Sequence, residues 1–298
     1  MRNFLFTKPS KGDKRTPEQI LEHYEIEREL ADKLRKANKE ERRYLYTTLY
    51  DELFRRVPLH PQLNQKADSK SQYAIVSIRM RLLKRFLNNE STFLEVGAGD
   101  CALSLEVAQY VKRVYAVDVS KHITQKELFP QNFELIISDG CSIPVPKNSI
   151  NIAYSDQLLE HLHPEDAVDQ LHNIYEALCP GGIYICITPN RFCGPHDVSK
   201  YYDDIATGFH MKEYTVTELC DLFRSVGFMD IDSYMEGKGI HVQFPLFIAT
   251  LIEKLLPIFK FPLRRKIANT LIFRKLLNVV IVGKKPSEQI MNVLRRKK

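Results

Sequence analysis

The sequence predicts an α/β chain: a mostly parallel sheet with helices on both faces, preceded by a helical N-terminal cap. Three observations carry this expectation. Residues 16–90 show only helical periodicity. From Ser91 onward, short apolar runs alternate with amphipathic stretches. The first of those runs, Phe93-Leu94-Glu95-Val96, breaks into Gly97-Ala98-Gly99-Asp100-Cys101 before a helical pattern resumes. Without a Cβ, Gly97 and Gly99 let the backbone turn tightly and approach a ligand. A helix starting just after them aims its free N–H groups and positive dipole end at that loop.

In chain order, Thr16-Pro17-Glu18-Gln19 is a helix start, with Thr16 as cap and Gln19 closing a capping box. Ile20, Leu21, Tyr24, Leu30 and Leu34 mark its apolar face. A second helix is expected over 39–56 (Leu45, Leu49, Leu53) and a third over 73–88 (Ile75, Ile78, Leu82, Phe86). Strands follow at 92–97, 113–119, 133–138, 149–155 and 183–188. Helices are expected near 100–111 (Ala102, Leu105, Ala108 and Val111 on one face), 120–129, 164–178 and 215–226. Pro164-Glu165-Asp166 places proline and two acids in a first turn, and Pro180-Gly181-Gly182 stops that helix. Its inner stripe is read as Val168, Leu171, Tyr175 and Leu178. Thr215-Val216-Thr217-Glu218 is a further capping box.

Composition narrows the class. The chain has 298 residues, 44% hydrophobic and 27% charged, as a soluble globular protein does. Its six cysteines include no CxxC pair and no zinc-ligand rhythm with the histidines, so buried free thiols and no metal are expected. The N-terminal apolar run is too short for a signal-peptide core, and no uncharged apolar run reaches about 18 residues. A cytoplasmic location, peripheral to the inner face of a membrane at most, is the expectation. Net charge is +6, and Lys260, Arg264, Arg265, Lys266, Arg274, Lys275, Lys284 and Lys285 crowd the C-terminal part. They suit an anionic neighbour, or form a solvated basic surface.

In open α/β sheets, ligands bind outside the carboxyl ends of the strands. Strand one ends in Glu95 and the glycine loop. Strand two ends in Asp118, about twenty residues past the glycines, where a carboxylate can accept both hydroxyls of a ribose. Strand three ends in Asp139-Gly140-Cys141, where a carboxylate can accept a base amino group. Strand four ends in Ser155-Asp156-Gln157, beside the ligand's other end.

These residues, together with Leu178-Cys179-Pro180-Gly181-Gly182, make the stretch 93–182 resemble class I S-adenosylmethionine-dependent methyltransferases of the small-molecule subgroup called type 11. The family's third loop glycine is replaced by Cys101. The resemblance implies a Rossmann-like, seven-stranded, mostly parallel sheet of order 3-2-1-4-5-7-6 with strand 7 antiparallel. Strand six then falls at 229–235 and strand seven at 277–283, with a helical insertion at about 238–276 between them. The implied organisation is a cap at 1–90, an S-adenosylmethionine-binding domain at 91–285 and a basic tail at 286–298. The implied cofactor is S-adenosyl-L-methionine. Asp118 and Val119 would hold the ribose, Asp139 and Gly140 the adenine end, and Glu95 with the Gly97-Ala98-Gly99 backbone the methionine portion, with Asp156 and Gln157 alongside. A dinucleotide fits less well, because it needs a third glycine where Cys101 stands.

For a hydroxyl acceptor the protein must also take a proton, and histidine is the natural base. In order of preference the candidates are His196, His161 and His210. His163 reads as a helix cap, and Asp197, Asp203 and Asp204 as acids that orient a histidine, bind a polar acceptor or are simply solvated. Strand four lacks the Asn/Asp-Pro-Pro-Tyr of enzymes that methylate adenine or glutamine amides, and no Pro-Cys dipeptide stands there. A small-molecule or lipid-linked acceptor methylated on oxygen therefore leads, with nitrogen or carbon close behind. Nucleic acid is disfavoured. The apolar stretch 244–261 with the basic residues after it suits a packed lid, an apolar pocket wall or a peripheral membrane contact through 244–275. Two rival classes are an RNA or protein methyltransferase docking through its basic surface, and a subunit that binds cofactor without turnover.

Overall fold

The computed structural model describes residues 13, 15–63, 69–120, 129–237 and 240–296. α1 (Pro17–Lys36) starts at the expected box: Thr16 accepts from the Gln19 N–H and the Gln19 side chain answers the Thr16 N–H. α2 (Lys39–Arg56) has a second box, Asn38 with Glu41, that completes the same reciprocal cap. α1 buries Ile20, Tyr24, Leu30 and Leu34, but also His23 and Glu27 on the same face. The third helix spans Ser69–Leu83, starting and stopping earlier than the 73–88 expected. Its buried residues are Met80, Leu82 and Leu83, while Ile75 is exposed.

Eight strands form one sheet in the order β3-β2-β1-β4-β5-β8-β6-β7. β1 (Thr92–Val96), β2 (Arg113–Asp118), β3 (Phe133–Ile137), β4 (Ile150–Asp156) and β5 (Leu178–Thr188) pair in parallel. β8 (Val279–Lys284) runs antiparallel between β5 and β6 (Met229–Gly237), the place expected for the seventh strand. The eighth strand corrects the expectation of seven. β7 (Ile240–Phe244) lies inside the span read as a helical insertion, and Gly237 pairs with Ile240 to fold it back antiparallel on β6. The alternation Ile240-His241-Val242-Gln243-Phe244 is a strand pattern, with His241 the buried member.

The remainder of the insertion is not one long apolar helix. It comprises Leu246–Leu255, a 3-10 turn Leu256–Ile258, Phe261–Ala268 and Leu271–Leu276. Pro257 lacks an N–H and ends the first helix, and Pro262 sits where a first turn tolerates it. Within it Glu253 is buried and serves the next layer: its carboxylate accepts from the N–H groups of Val216 (2.6 Å) and Thr217 (2.9 Å), at the start of helix Val216–Val226.

Both sheet faces are covered. Helices Pro164–Ala177 and Val216–Val226 and α2 pack with one apolar cluster, and helices Ser69–Leu83 and Ala102–Val107 with the other. Phe93, Leu94 and Val96 of β1 are almost fully buried, each contributing about 1.5–3 kcal/mol. This fixes the strand end from which the glycine loop springs. The helix after that loop is shorter than 100–111; it turns Leu103, Ser104 and Val107 inward, and Ala108 and Val111 of the expected stripe are buried just beyond its end. Helix Pro164–Ala177 turns Ala167, Leu171, Ile174 and Ala177 inward, with Leu171 and Leu178 of the expected stripe buried. The helix expected at 120–129 falls largely on 121–128, outside the described residues.

The cap is clamped by charge as well as packing. Arg42 of α2 forks onto Asp166, with Nε donating to Oδ2 (2.6 Å) and Nη2 to Oδ1 (2.9 Å), and the Tyr46 hydroxyl donates to the same carboxylate at 2.7 Å. Asp166 is fully buried. Its place in a first helical turn suggested only a dipole partner, yet it ties α2 to the sheet domain.

Candidate active site

β1 leads into Gly97 (φ +76°) and Gly99 (φ +54°), both left-handed. Cys101 follows with φ 62°, so the residue standing for the third glycine keeps the backbone conformation a glycine would take, at some strain, with its side chain fully buried. Asp118 at the end of β2 reaches back to this loop. Its carboxylate accepts from the Gly99 N–H at 2.7 Å and the Ser120 N–H at 3.0 Å. A cavity of about 160 Å³ opens here, walled by Gly97, Gly99, Asp118, Val119, Gly140 and Gln157. The cap supplies a further wall through Tyr46, Tyr50 and Phe54 of α2.

Three other acids at the strand ends do structural work. Asp139 accepts from the N–H groups of Cys141 (2.9 Å) and Ser142 (2.7 Å), which folds its own loop and leaves Gly140 as the wall. These donors hold its carboxyl below the usual range against the opposing effect of partial burial. Asp156 is ion-paired at 2.5 Å with Arg79 of helix Ser69–Leu83. Glu95 lies behind the glycine loop, where the Ser104 hydroxyl donates to it. Ala98 is buried beside it.

Burial pushes the Glu95 carboxyl up from 4.5 to about 8, and the nearby Asp156, Asp100 and Asp118 add to the effect. Between those values the folded chain holds a proton that the unfolded chain has released, so stability falls as pH rises through this window. The slope is at most about 1.4 kcal/mol per pH unit. Glu95→Gln, neutral throughout, is expected to flatten the melting-temperature profile between the two values and to melt higher than the parent at the alkaline end. Superimposable profiles would show that Glu95 ionises freely in the fold.

A second cavity of about 180 Å³ adjoins the first, and Tyr50, Gln62 and His161 line both. All three candidate histidines, His161, His196 and His210, line it. His161 Nδ1 is 2.7 Å from the Tyr50 hydroxyl and 3.2 Å from the Phe209 carbonyl oxygen. Burial lowers its pKa to about 3, with the His210 charge adding to the drop, so it is neutral at physiological pH. His210 Nδ1 pairs with Glu213 Oε1 at 2.7 Å. Burial opposes its charge, but the Glu213 bond and the Asp197 and Glu160 carboxylates outweigh it and raise His210 to about 9. His196 Nδ1 lies 3.3 Å from the other oxygen of Glu213, and its ring is 34% exposed.

Glu213 thus serves both histidines, and it also accepts the His196 backbone N–H at 2.7 Å. It fits only because position 194 is glycine: a Cβ there would stand 2.0 Å from Glu213 Oε2. Asp197 is buried and folds its loop, accepting from the N–H groups of Ser199 (3.0 Å) and Gly208 (2.9 Å). Asp203 accepts from the Tyr24 hydroxyl at 2.8 Å. His163 caps helix Pro164–Ala177, as its position suggested.

The cap also contributes His23, Glu27 and His60 to this cavity, which sequence reasoning missed. His23 Nε2 is 2.8 Å from Glu27 Oε2. Their spacing, four apart on the face carrying Ile20, Tyr24 and Leu30, was the available signal: polar side chains on an apolar stripe have a purpose.

Comparison with known proteins agrees with this geometry. Residues 94–186 match the methyltransferase-domain family of type 11. A Mycolicibacterium smegmatis protein described as a probable S-adenosylmethionine-dependent methyltransferase is 26% identical over 153 residues, covering 49% of this chain and 56% of that protein. The chain thus spans just over half the length of this curated relative. Among solved structures, the methyltransferase in complex with the Trm112 methyltransferase activator of Haloferax volcanii superposes with a TM-score of 0.53 at 16% identity, over 75% of this chain and 96% of that one. That likeness is one of fold. Residues 94–186 thus match the type 11 methyltransferase-domain family, and the chain shares its fold with that Haloferax volcanii methyltransferase.

Proposed function

We propose that the protein is an S-adenosylmethionine-dependent methyltransferase acting on a small-molecule or lipid-linked acceptor, methylated on oxygen. The observation that carries this reading is the pair of adjoining cavities with Tyr50 and His161 in their common wall. One cavity has the backbone cradle and carboxylate that suit a nucleoside: two left-handed glycines, one of them with nothing in its Cβ direction, and the Asp118 carboxylate bound to the Gly99 N–H. When bound, S-adenosylmethionine supplies an electrophilic methyl group on sulfonium.

The second cavity is closed over by the cap and lined by polar, titratable side chains, which suits a polar head group rather than a folded macromolecule. His196, oriented by Glu213 and partly open, is the residue placed to take a hydroxyl proton. A lipid-linked acceptor is supported by the insertion. Phe247, Ile258, Leu271 and Ile272 are each more than two-thirds exposed, and the exposed cations Lys254, Lys260, Lys266 and Arg274 lie among them. Among the described residues, no helix is long and apolar enough to cross a membrane, so any such contact is peripheral.

The test is incubation with methyl-labelled S-adenosylmethionine and cell extract separated into lipid, small-molecule, RNA and protein fractions. Label is expected in the lipid or small-molecule fraction, with loss in Asp118→Ala. His196→Gln is expected to lower kcat by about 10²–10⁴-fold with KM little changed. Label confined to RNA or protein overturns the acceptor class. Cofactor binding with no label anywhere favours a subunit that does not turn over.

A further inference from the structure

His161 and His210, which line the second cavity, cluster with the buried Glu160, and one ligand-type atom from each of the three lies within 4.8 Å of the other two. Two features set this cluster apart from an ordinary polar network. First, Glu160 is fully buried, and while its Oε2 accepts from the Thr188 hydroxyl (2.9 Å), its Oε1 has no hydrogen-bond partner among the described residues. An orphaned buried carboxylate oxygen is costly unless a proton or a cation meets it.

Second, both histidines are held by Nδ1. His161 Nδ1 faces the Phe209 carbonyl and the Tyr50 hydroxyl, and His210 Nδ1 faces Glu213. A backbone carbonyl behind one imidazole and a carboxylate behind the other is the outer shell that fixes ligating histidines and leaves Nε2 to bind the metal.

We propose that Glu160, His161 and His210 bind one divalent first-row transition-metal ion beside the acceptor cavity that the two histidines line. Two imidazoles and one carboxylate with vacant positions suit zinc(II) or iron(II) rather than calcium or magnesium. Ligands on a common ion at about 2.0–2.2 Å stand roughly 3.4 Å apart, so the side chains close by about an ångström on binding. The cluster His23–Glu27–His60 in the same cavity is not equivalent. There the Arg15 guanidinium already lies 2.7 Å from His23 Nδ1, and a positive charge occupies the surroundings that a metal needs.

Held by these three side chains, such an ion would supply Lewis acidity toward an acceptor hydroxyl in the neighbouring cavity. This deepens the reading of the second cavity as the acceptor site and rests on it, whereas metal binding itself does not.

The test is titration of chelator-treated full-length protein with zinc sulfate by calorimetry, with metal content measured after gel filtration. Neither cofactor nor acceptor is present, so the result stands whether or not methyl transfer is found. One equivalent per chain is expected, with a rise in melting temperature on loading. Glu160→Gln and His161→Asn are expected to abolish saturable binding while keeping the parent's circular dichroism. Glu213→Gln should weaken binding by about 10–100-fold, and His23→Gln should leave it unchanged. No saturable uptake by the parent protein of zinc, or of iron(II) in an anaerobic repeat, overturns the proposal. So does uptake that survives Glu160→Gln and His161→Asn but is lost in His23→Gln. Full methyl transfer in the presence of chelator would remove the catalytic role and leave the proposed function standing.

Discussion

Replacing Asp166 by alanine is expected to destabilise the chain by about 3–5 kcal/mol. The substitution leaves Arg42, only 3% exposed, without the carboxylate that takes two of its N–H donors, and leaves the Tyr46 hydroxyl without its acceptor. Arg42 retains the Ala37 carbonyl at 3.0 Å and Glu165 at 2.8 Å, but Glu165 is solvent-exposed and contributes little. Because the Tyr46 hydroxyl also accepts the His163 N–H at 2.9 Å, the loss spreads to the start of helix Pro164–Ala177. Urea denaturation followed by circular dichroism measures it. Removing both charges together, Arg42→Met with Asp166→Leu, is expected to cost far less than Asp166→Ala, since an uncompensated buried charge is the damaging species. A single variant within about 1 kcal/mol of the parent, the level of an exposed pair, would mean that this clamp is not buried in solution.

The second large effect is on cofactor affinity. Asp118→Ala is expected to weaken binding of S-adenosylhomocysteine by about 100-fold, from the loss of two charge-assisted hydrogen bonds of about 1.5–3 kcal/mol each, partly offset by water. The Gly99 and Ser120 N–H groups lose their acceptor, and the glycine loop loses the anchor that holds it open toward the cavity. Asp118→Asn keeps one side-chain oxygen and is expected to fall between alanine and the parent. Isothermal titration calorimetry separates the three proteins. An alanine variant within threefold of the parent would show that the loop holds its shape without this carboxylate and that the ribose is bound elsewhere.

Local chemistry by itself determined a good part of this protein. The boxes at Thr16 and Thr215 act over four residues and needed nothing else to be read. Strand positions, the glycine turn and the place of Asp118 at a strand end follow from periodicity and from the conformational freedom of two glycines. Only the tertiary structure decided the rest. Apolar periodicity gives a stripe, but which flank of the stripe faces inward depends on the neighbouring layer, so Leu103 and Val107 join the expected Ala108 and Val111, and Ala167, Ile174 and Ala177 join the expected Leu171, on the buried faces. β7 pairs through backbone groups whose partners no side chain announces. Arg42 and Asp166 are 124 residues apart, and either reads alone as a surface charge. The cavity histidines come from the cap and from the connections after β4 and β5, and burial lowers His161 while the carboxylates around His210 raise it. Short-range preferences are written in consecutive residues. The field at a buried side chain is the sum over everything folded around it, and that sum exists only once the chain has closed.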